Sequence, residues 1–203
     1  MTLRDRIKPW FQDLAMGFMD PMRADTVREA HGEVLEIGFG TGRNLRYYSH
    51  RVSAVHGVDP MPTQGLGRVE NRIGRAPFRV ERFALSADQT LPFDAGRFDS
   101  VITTWTLCSI PDATAALSEM QRVLRPGGRY FFLEHGRGRR EATIRWQERL
   151  NPLWNRLTDG CNINRPIDDL VRNAGFALDS VEEFEAAGPS LTSHMYRGAA
   201  TRV

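Results

Sequence analysis

Three glycines at alternate positions follow a short apolar run in the segment VLEIGFGTGRN (34–44). A glycine turn between a strand and a helix lets backbone N–H groups approach a bound nucleotide closely. Two carboxylates accompany the turn: Glu36 lies inside the apolar run, and Asp59 ends the next apolar run, 21 residues after Gly38. A carboxylate at the Asp59 position accepts hydrogen bonds from both hydroxyls of a ribose. The segment therefore predicts a nucleotide site that includes a ribose.

The spacing of the glycines argues against a dinucleotide. Gly38, Gly40 and Gly42 form G-x-G-x-G, and Arg43 stands where the dinucleotide fingerprint needs a small residue for close helix–strand packing. Glu36 beside the turn repels a pyrophosphate and suits a ligand with positive charge. A ribose, no pyrophosphate and a cation together describe S-adenosylmethionine (SAM). A dinucleotide-dependent oxidoreductase is the alternative from another class, and Arg43 and Glu36 count against it.

One adjacent carboxylate–imidazole pair, Glu134–His135, could act on an acceptor. His135 has two interpretations, a role in the acceptor site or a buried, hydrogen-bonded strand end, and Glu134 could instead pair with an arginine. Cys108 is interpreted as a pocket wall or a core thiol, and Cys161 as part of a loop that closes the pocket. No metal is expected, because the five histidines show no ligand spacing and the two cysteines lie far apart in the chain.

The elements that must position these residues alternate along the chain. Short β-branched or aromatic runs alternate with helix-like stretches, a pattern typical of a parallel α/β sheet. The runs predict strands at 33–38, 53–59, 78–85, 99–105, 129–135, 176–184 and 193–200. Helices are predicted at 42–49, 62–73, 112–124, 140–157 and 166–174, with Asp112 as the N-cap of the third. Reacting groups lie beyond the carboxyl ends of the strands in such sheets.

Length and charge bound the class of protein. A chain of 203 residues suits one full core, and a net charge of +2 argues against nucleic-acid binding driven by bulk electrostatics. The charged N-terminus and the lack of a long apolar run predict a soluble, cytoplasmic protein with no transmembrane segment. Lys8 is the only lysine, which indicates a GC-rich, bacterial genome. The oligomeric state cannot be read from these features.

Two helix faces carry large apolar residues. Residues 1–30 predict an N-terminal helical cap or lid ahead of a SAM-binding domain at 31–203. The stripe in this first segment packs on the domain, covers a pocket or makes a peripheral contact with lipid; its members are Trp10, Phe11, Leu14, Ala15, Phe18, Met19 and Met22. Trp146 and Trp154, eight residues apart, are predicted to share a face that packs on the sheet.

Four ordered segments resemble the motifs of class I SAM-dependent methyltransferases: VLEIGFGTG, GVDP, LPFDAGRFDSVITTWTLCSIPD and RVLRPGGRYFFLEH. The resemblance covers roughly residues 30 to 200. It implies an α/β, Rossmann-like sheet of seven strands, with the last strand antiparallel and helices on both faces. It also implies SAM as cofactor and S-adenosylhomocysteine as product.

The same resemblance assigns cofactor contacts residue by residue. Around the methionine and ribose parts it implies Glu36, Gly38, Phe39, Gly40 and Gly42. Asp59 would hold the ribose, Met61 would cover the adenine, and either Ala87 or Asp88 would meet the adenine edge. Thr104 would lie near the sulfonium.

A narrower resemblance appears in TLCSIPD, FFLEHGRG and LNPLWNRLTDGCNINR. These segments look like the branch of the animal methyltransferase-like thiol methyltransferases and their bacterial relatives. The animal proteins begin with a hydrophobic anchor, which this sequence is not expected to share. The branch implies a small-molecule acceptor, a thiol by preference, with Glu134 and His135 as catalytic candidates. The alternatives are an amine acceptor, including a phospholipid head group, and a SAM-binding module without catalysis.

Overall fold

A seven-stranded sheet forms the centre of the chain. The computed structural model describes residues 17–61, 66–158 and 160–203, without the side chain of Phe18. The strands are β1 (Gly32–Ile37), β2 (Val52–Val58), β3 (Arg79–Phe83), β4 (Phe98–Thr104), β5 (Leu124–His135), β6 (Phe176–Glu185) and β7 (His194–Arg202). Their order in the sheet is β3-β2-β1-β4-β5-β7-β6. β1 to β5 pair in parallel, and β7 is antiparallel to both β5 and β6. The predicted Rossmann-like sheet with an antiparallel last strand is confirmed.

Five α-helices connect the strands within the described residues: α1 (Asp20–Val27), α2 (Gly67–Gly74), α3 (Ala113–Val123), α4 (Glu141–Leu157) and α5 (Ile167–Asn173). Asp112 caps α3 as predicted, because its Oδ1 accepts a hydrogen bond of 2.9 Å from the Ala115 N–H. The helix predicted at 42–49 is wrong. A short 3₁₀ turn, Arg43–Tyr47, stands there, since Gly42 has a left-handed backbone and Tyr48 is already extended.

The helices lie on both faces of the sheet, as alternation along the strands shows. In β1, Leu35 belongs to a core that includes Leu117 of α3 and Ile167 of α5. Its neighbour Val34 belongs to a second core, with Val27 at the end of α1 and Val69 of α2. Successive side chains of a strand point to opposite faces, so each core is the apolar filling between the sheet and one helix layer.

The strand register brings the predicted site residues to one edge of the sheet. Ile37 at the end of β1 is paired with Val58 of β2 and with Thr103 of β4, and Thr104 is paired with Leu133 of β5. The glycine turn, Asp59 and the residues after β4 and β5 therefore all leave the sheet at its carboxyl edge. This is the edge at which open α/β sheets bind ligands.

α4 packs less completely than its sequence predicted. Trp154 packs against Cys108, Cys161 and Ile163, but Trp146 is 52% exposed. The prediction that the two tryptophans share a buried face is wrong for Trp146, because eight residues advance an α-helix by about 80° beyond whole turns. Leu150, Leu153 and Leu157 are exposed on the same helix. None of the described helices has the length and apolar character needed to cross a membrane.

The predicted N-terminal cap falls only partly within the described residues. Trp10, Phe11, Leu14, Ala15 and the side chain of Phe18 lie outside them. The part that is described ends in α1, where Val27 and the following Ala30 are fully buried in the second core. This end of the segment is thus packed on the domain, while a lid role for the rest stays a prediction.

Candidate functional site

The glycine turn has a left-handed backbone at each of its three glycines. Their φ angles are +77° at Gly38, +53° at Gly40 and +73° at Gly42. A Cβ on Gly38 would lie 1.9 Å from Oγ1 of Thr106, so packing also requires glycine there. Among the described residues, a Cβ on Gly40 would meet no atom nearer than 3.9 Å. The backbone of Gly40 therefore borders free space in which a ligand can sit.

Asp59 is fixed beside that space by two backbone amides. Its Oδ2 accepts from the Gly40 N–H at 2.7 Å and its Oδ1 from the Met61 N–H at 2.8 Å. Burial raises the pKa of the carboxyl above its usual value, and the two amide hydrogen bonds oppose the rise. A carboxylate held in this way has lone pairs directed to one place, which suits a ribose diol.

A small, open pocket adjoins Asp59; its enclosed space is about 10 Å³, room for roughly one water molecule. Phe39, Asp59 and Met61, all predicted to contact the cofactor, are among its lining residues, together with Gly57, Arg82, Phe83 and Ala84. Sequence reasoning missed these four: Gly57 lies in β2, and the other three lie at and just after the end of β3. No motif marks them, because any residue at that strand end can form the wall. The pocket lies where an adenine beside the ribose is predicted, and its lining combines aromatic rings with the charged Asp59 and Arg82.

Ala87 and Asp88 lie beyond the described lining of this pocket. The side chain of Ala87 is buried in the first core. Asp88 accepts a hydrogen bond of 2.5 Å from the Ser86 hydroxyl and a longer one, 3.4 Å, from the Asp112 N–H. The Ser86 hydrogen bond lowers the pKa of Asp88, so its carboxylate is ionised. Contact of either residue with adenine stays a prediction.

Glu36 is buried at the end of β1 and accepts two hydrogen bonds. The donors are the Tyr48 hydroxyl at 2.8 Å and the Asn44 side-chain amide at 3.0 Å. Burial raises the pKa of Glu36 to about 7 despite these bonds and the nearby Arg23. The same Asn44 amide reaches Oγ1 of Thr104 at 3.1 Å. The two residues predicted near the positively charged part of SAM thus belong to one hydrogen-bonded network.

Arg23 of α1 closes this network, and no sequence motif marks it. Its guanidinium donates to Asn44 Oδ1 at 3.0 Å and to Thr104 Oγ1 at 2.9 Å, and its Nε lies 3.3 Å from Asp20. It also stacks 4.6 Å from the centre of the Trp105 ring. Burial lowers its pKa to about 10, so Arg23 remains charged at neutral pH. The segment predicted as a cap therefore places a cation at the cofactor end.

The turn after β4 is held in a strained conformation by β5. Trp105 has φ +51°, the left-handed region that side chains other than glycine rarely adopt, and its N–H donates to Leu133 O at 2.7 Å. Oε2 of the fully buried Glu134 accepts from the N–H groups of Thr106 at 2.8 Å and Cys108 at 3.2 Å. Burial raises the pKa of Glu134. In this structure Glu134 positions the turn, and its catalytic role stays a prediction.

His135, the other catalytic candidate, is half-buried and lies beside both cysteines. Sγ of Cys161 is 3.9 Å from His135 Nδ1 and 3.7 Å from Sγ of Cys108, and both thiols are free. The prediction that the cysteines lie far apart holds along the chain and is wrong in space. The contact with Cys108, aided by His135, lowers the pKa of Cys161 well below its usual value, while that contact and burial raise the pKa of Cys108.

The loop that carries Cys161 is strapped to the turn after β4. The N–H and side-chain amide of Asn162 donate to Cys108 O at 2.8 and 3.0 Å. Asn151 of α4 donates to Asn162 Oδ1 at 2.9 Å, and Arg165 donates to Leu107 O at 2.5 Å. These bonds explain how residues from three separate segments reach one place. Spacing along the sequence could not reveal them.

The chain is similar to known methyltransferases in sequence and in fold. A family model described as "Methyltransferase domain" matches residues 35–132. The human thiol S-methyltransferase TMT1A is 32% identical over 157 residues, which cover 75% of this chain and 63% of the relative. A phosphatidylethanolamine N-methyltransferase from Cereibacter sphaeroides is 34% identical over 105 residues, 51% of each chain. A SAM-dependent methyltransferase structure from Methanosarcina mazei superposes with a TM-score of 0.64 at 20% identity, covering 90% of this chain and 97% of the other.

The fold and the site together define a SAM-dependent methyltransferase domain. The residues present are compatible with SAM: among the described residues the space beside Gly40 is open, Asp59 is held next to it, and Glu36 is a buried carboxyl that suits a cation. Contacts of these residues with SAM stay predictions. The chain contains a methyltransferase domain, matched over residues 35–132, with the sheet expected for class I SAM-dependent methyltransferases, and this domain implies SAM as its cofactor. It spans 63% of the length of the human thiol S-methyltransferase it matches.

Proposed function

We propose that this chain transfers the methyl group of SAM to a small-molecule acceptor, preferably a thiol. The observation that carries the proposal is the arrangement at one sheet edge, where the cofactor pocket beside Asp59 is followed by the turn after β4 and the half-buried His135. The relatives named thiol S-methyltransferases, such as TMT1A, support the thiol within the range of small acceptors.

The chemistry asks mainly for alignment. SAM supplies an activated methyl group on a sulfonium, which is a good leaving group. Asp59 and the glycine turn fix the ribose, and Glu36 with Thr104 faces the charged end. Glu134 holds the turn from Trp105 to Cys108 on the side from which the acceptor approaches. Such positioning is worth up to several kcal/mol of the barrier.

A thiol needs less help from the protein than an amine does. A free alkyl thiol has a pKa near ~8.5, so a useful fraction is thiolate at neutral pH. An alkyl amine titrates near ~10, like lysine, and needs a stronger base or heavier desolvation. His135 is the group proposed to lie beside the acceptor sulfur, because Glu134 is fully buried and its Oε2 accepts from two backbone amides. The lower pKa of a thiol and the presence of one candidate base, His135, therefore favour a thiol acceptor.

An amine acceptor is the second candidate. The relative named a phosphatidylethanolamine N-methyltransferase matches about half of this chain at 34% identity. That match supports a phospholipid head group as an acceptor for a related site. A domain that binds SAM without transferring its methyl group is the candidate from another class.

The test is an acceptor screen with the purified chain. Release of S-adenosylhomocysteine is measured with a panel of small thiols, amines, phenols and phosphatidylethanolamine vesicles. The Asp59→Ala variant, which lacks the proposed ribose contact, serves as the background. Turnover of thiols above this background supports the proposal. Turnover of amines or vesicles alone overturns the thiol preference, and SAM binding without turnover of any acceptor supports the binding module.

A further inference from the structure

Three side chains with zinc-binding chemistry converge next to the acceptor side of the site. Cys108 follows β4, His135 ends β5 and Cys161 lies in the loop after α4, and their ligand atoms all lie within 4.8 Å of one another. Thiolate sulfur and imidazole nitrogen are the ligands that zinc prefers in proteins. We propose that Cys108, His135 and Cys161 form a zinc site.

The distances fit tetrahedral zinc. With Zn–S near ~2.3 Å and Zn–N near ~2.1 Å, tetrahedral angles place two sulfurs ~3.8 Å apart and a sulfur and a nitrogen ~3.6 Å apart. The structure has 3.7 Å between the two Sγ atoms and 3.9 Å between Cys161 Sγ and His135 Nδ1. Two edges of the tetrahedron are therefore nearly in place. The third, within 4.8 Å, needs a contraction of about 1 Å, which rotation of the half-buried imidazole can supply.

The ligands are also preorganised. The backbone of Cys108 is hydrogen-bonded on both sides, since its N–H donates to Glu134 and its O accepts from Asn162 in the Cys161 loop; the Cys161 N–H donates to Thr158 O at 3.4 Å. Trp154 and Ile163 pack around the two thiols. A metal arriving there does not have to order two loops, so little conformational entropy opposes binding.

The composition of the set indicates the kind of zinc site. Structural zinc sites have four protein ligands, whereas catalytic sites have three and an open fourth position. If the proposed thiol acceptor is right, on which this step rests, its sulfur can fill that position. The thiol sulfur would replace the water in that position: the Zn–O and S–H bonds break, a Zn–S bond forms, the proton passes to the released water, and the acceptor is held as a thiolate. His135 would then serve the acceptor as a ligand rather than as a base.

The first experiment measures metal binding without turnover. Full-length protein is reduced, stripped with a chelator and titrated with Zn²⁺ against a chromophoric competitor. One equivalent of tight binding is expected, and both thiols should become protected from alkylation. Co²⁺ should give the intense visible bands and thiolate charge-transfer absorption of a tetrahedral sulfur-ligated site. Binding without charge transfer, or no binding above the competitor background, would overturn the site.

Variants then identify the ligands. His135→Ala and Cys161→Ser should each weaken Zn²⁺ binding by more than ~100-fold. Changing a residue that only hydrogen-bonds to a metal ligand typically costs ~10- to 100-fold, so the larger loss identifies a ligand. His50→Ala, at an exposed histidine, is the matched control and should bind as the wild type does. Circular dichroism checks folding, and the Co²⁺ spectrum of the wild type still decides if a cysteine variant is unfolded. Equal affinity in His135→Ala and His50→Ala contradicts the proposal.

The acceptor step is tested separately. A small thiol added to the Co²⁺ protein should shift its absorption bands, and an amine of similar size should not. A metal site without such a shift removes the role in acceptor binding and leaves the zinc site standing. Thiol turnover at the full rate in chelator-stripped protein also removes that role, while supporting the proposed function. The two proposals thus fail independently.

Discussion

The cofactor end and the acceptor end of the site are held by different means. At the cofactor end the glycine turn depends on the backbone: three left-handed glycines bend the chain, and the N–H groups of Gly40 and Met61 fix Asp59. A buried side-chain network that includes Glu36 and Arg23 lies beside this turn. At the acceptor end, side chains tie separate loops together, with Glu134 and Asn162 as the principal anchors. Changes of backbone conformation should therefore damage the first end, and loss of a few polar side chains the second.

The largest effect is expected at Gly40. In Gly40→Val the new side chain enters the free space that the ligand needs, and such overpacking costs up to ~3 kcal/mol, or about 100-fold in SAM affinity. Valine is strained at the left-handed φ of Gly40, +53°, although no atom of the described residues lies within 3.9 Å of the added Cβ, so folding is checked by circular dichroism. Gly127→Val, at a left-handed glycine with no described neighbour within 4 Å of the added Cβ and outside the site, is the control for strain. Normal binding by a folded Gly40→Val protein in titration calorimetry would make the turn purely structural.

The acceptor end is tested at His135. His135→Ala should lower thiol turnover by ~10- to 100-fold near pH 7 and leave SAM affinity unchanged, since the ring acts on the acceptor. If His135 is a metal ligand, the loss should be the same at pH 9. Recovery at pH 9, where thiolate forms unaided, would contradict the ligand role and assign His135 as the base. His50→Ala is the control at both pH values.

The third prediction tests the ribose contact of Asp59 at the cofactor end. Asp59→Ala removes two charge-assisted hydrogen bonds to the ribose, each worth ~1.5–3 kcal/mol, so SAM affinity should fall at least ~10-fold. It also frees the N–H groups of Gly40 and Met61. Asp94→Ala, at an exposed aspartate, should have no effect. Unchanged affinity of Asp59→Ala in calorimetry would show that the ribose lies elsewhere.

The smallest effect concerns the charge of Glu36, which faces Arg23, Asn44, Tyr48 and Asp59. With a pKa of about 7, the free protein holds a proton on Glu36 at pH 6 and has largely lost it at pH 8. A cationic ligand binds the ionised form, so SAM affinity should rise several-fold over this range.

Glu36→Gln should bind SAM more weakly and without this pH dependence, and a wild-type affinity independent of pH would contradict the assignment. The effect of rising pH on the folding stability of the free protein has the opposite sign. The folded pKa exceeds the ordinary value of 4.5, so the free protein loses stability as pH rises from about 4.5 through 7. Thermal unfolding of the cofactor-free protein at pH 5 and pH 8 measures this loss.

The sheet and the cofactor end could be predicted because their signals are local. Apolar alternation places β4 within one residue of its observed bounds, and the glycine spacing with Asp59 points to the pocket. β5 begins at Leu124, five residues earlier than predicted. Leu124 already pairs with Phe98, although Gly127 and Gly128 favoured a strand that begins after them. Arg23 and Phe83 were missed because only the tertiary fold brings them to the site.

The acceptor end was harder to predict for a physical reason. Cys108 and Cys161 are separated by 53 positions, and they meet through hydrogen bonds between two loops. Loop contacts of this kind leave no periodic pattern in the sequence. The pair Glu134–His135 was correctly placed at the end of β5. Its two side chains nevertheless have different surroundings: Glu134 bonds the backbone of the turn after β4, and His135 lies beside Cys161.

Trp105 has a consequence for how the protein can be altered. Among the described residues it is the one residue other than glycine with a positive φ, a conformation that costs roughly 1–2 kcal/mol. Replacement by glycine would relieve that strain, but would also remove the ring on which Arg23 stacks. A substitution that relieves strain at position 105 therefore removes a contact at the site. Selection for heat resistance alone would favour loss of Trp105 from the turn that joins the two ends of the site.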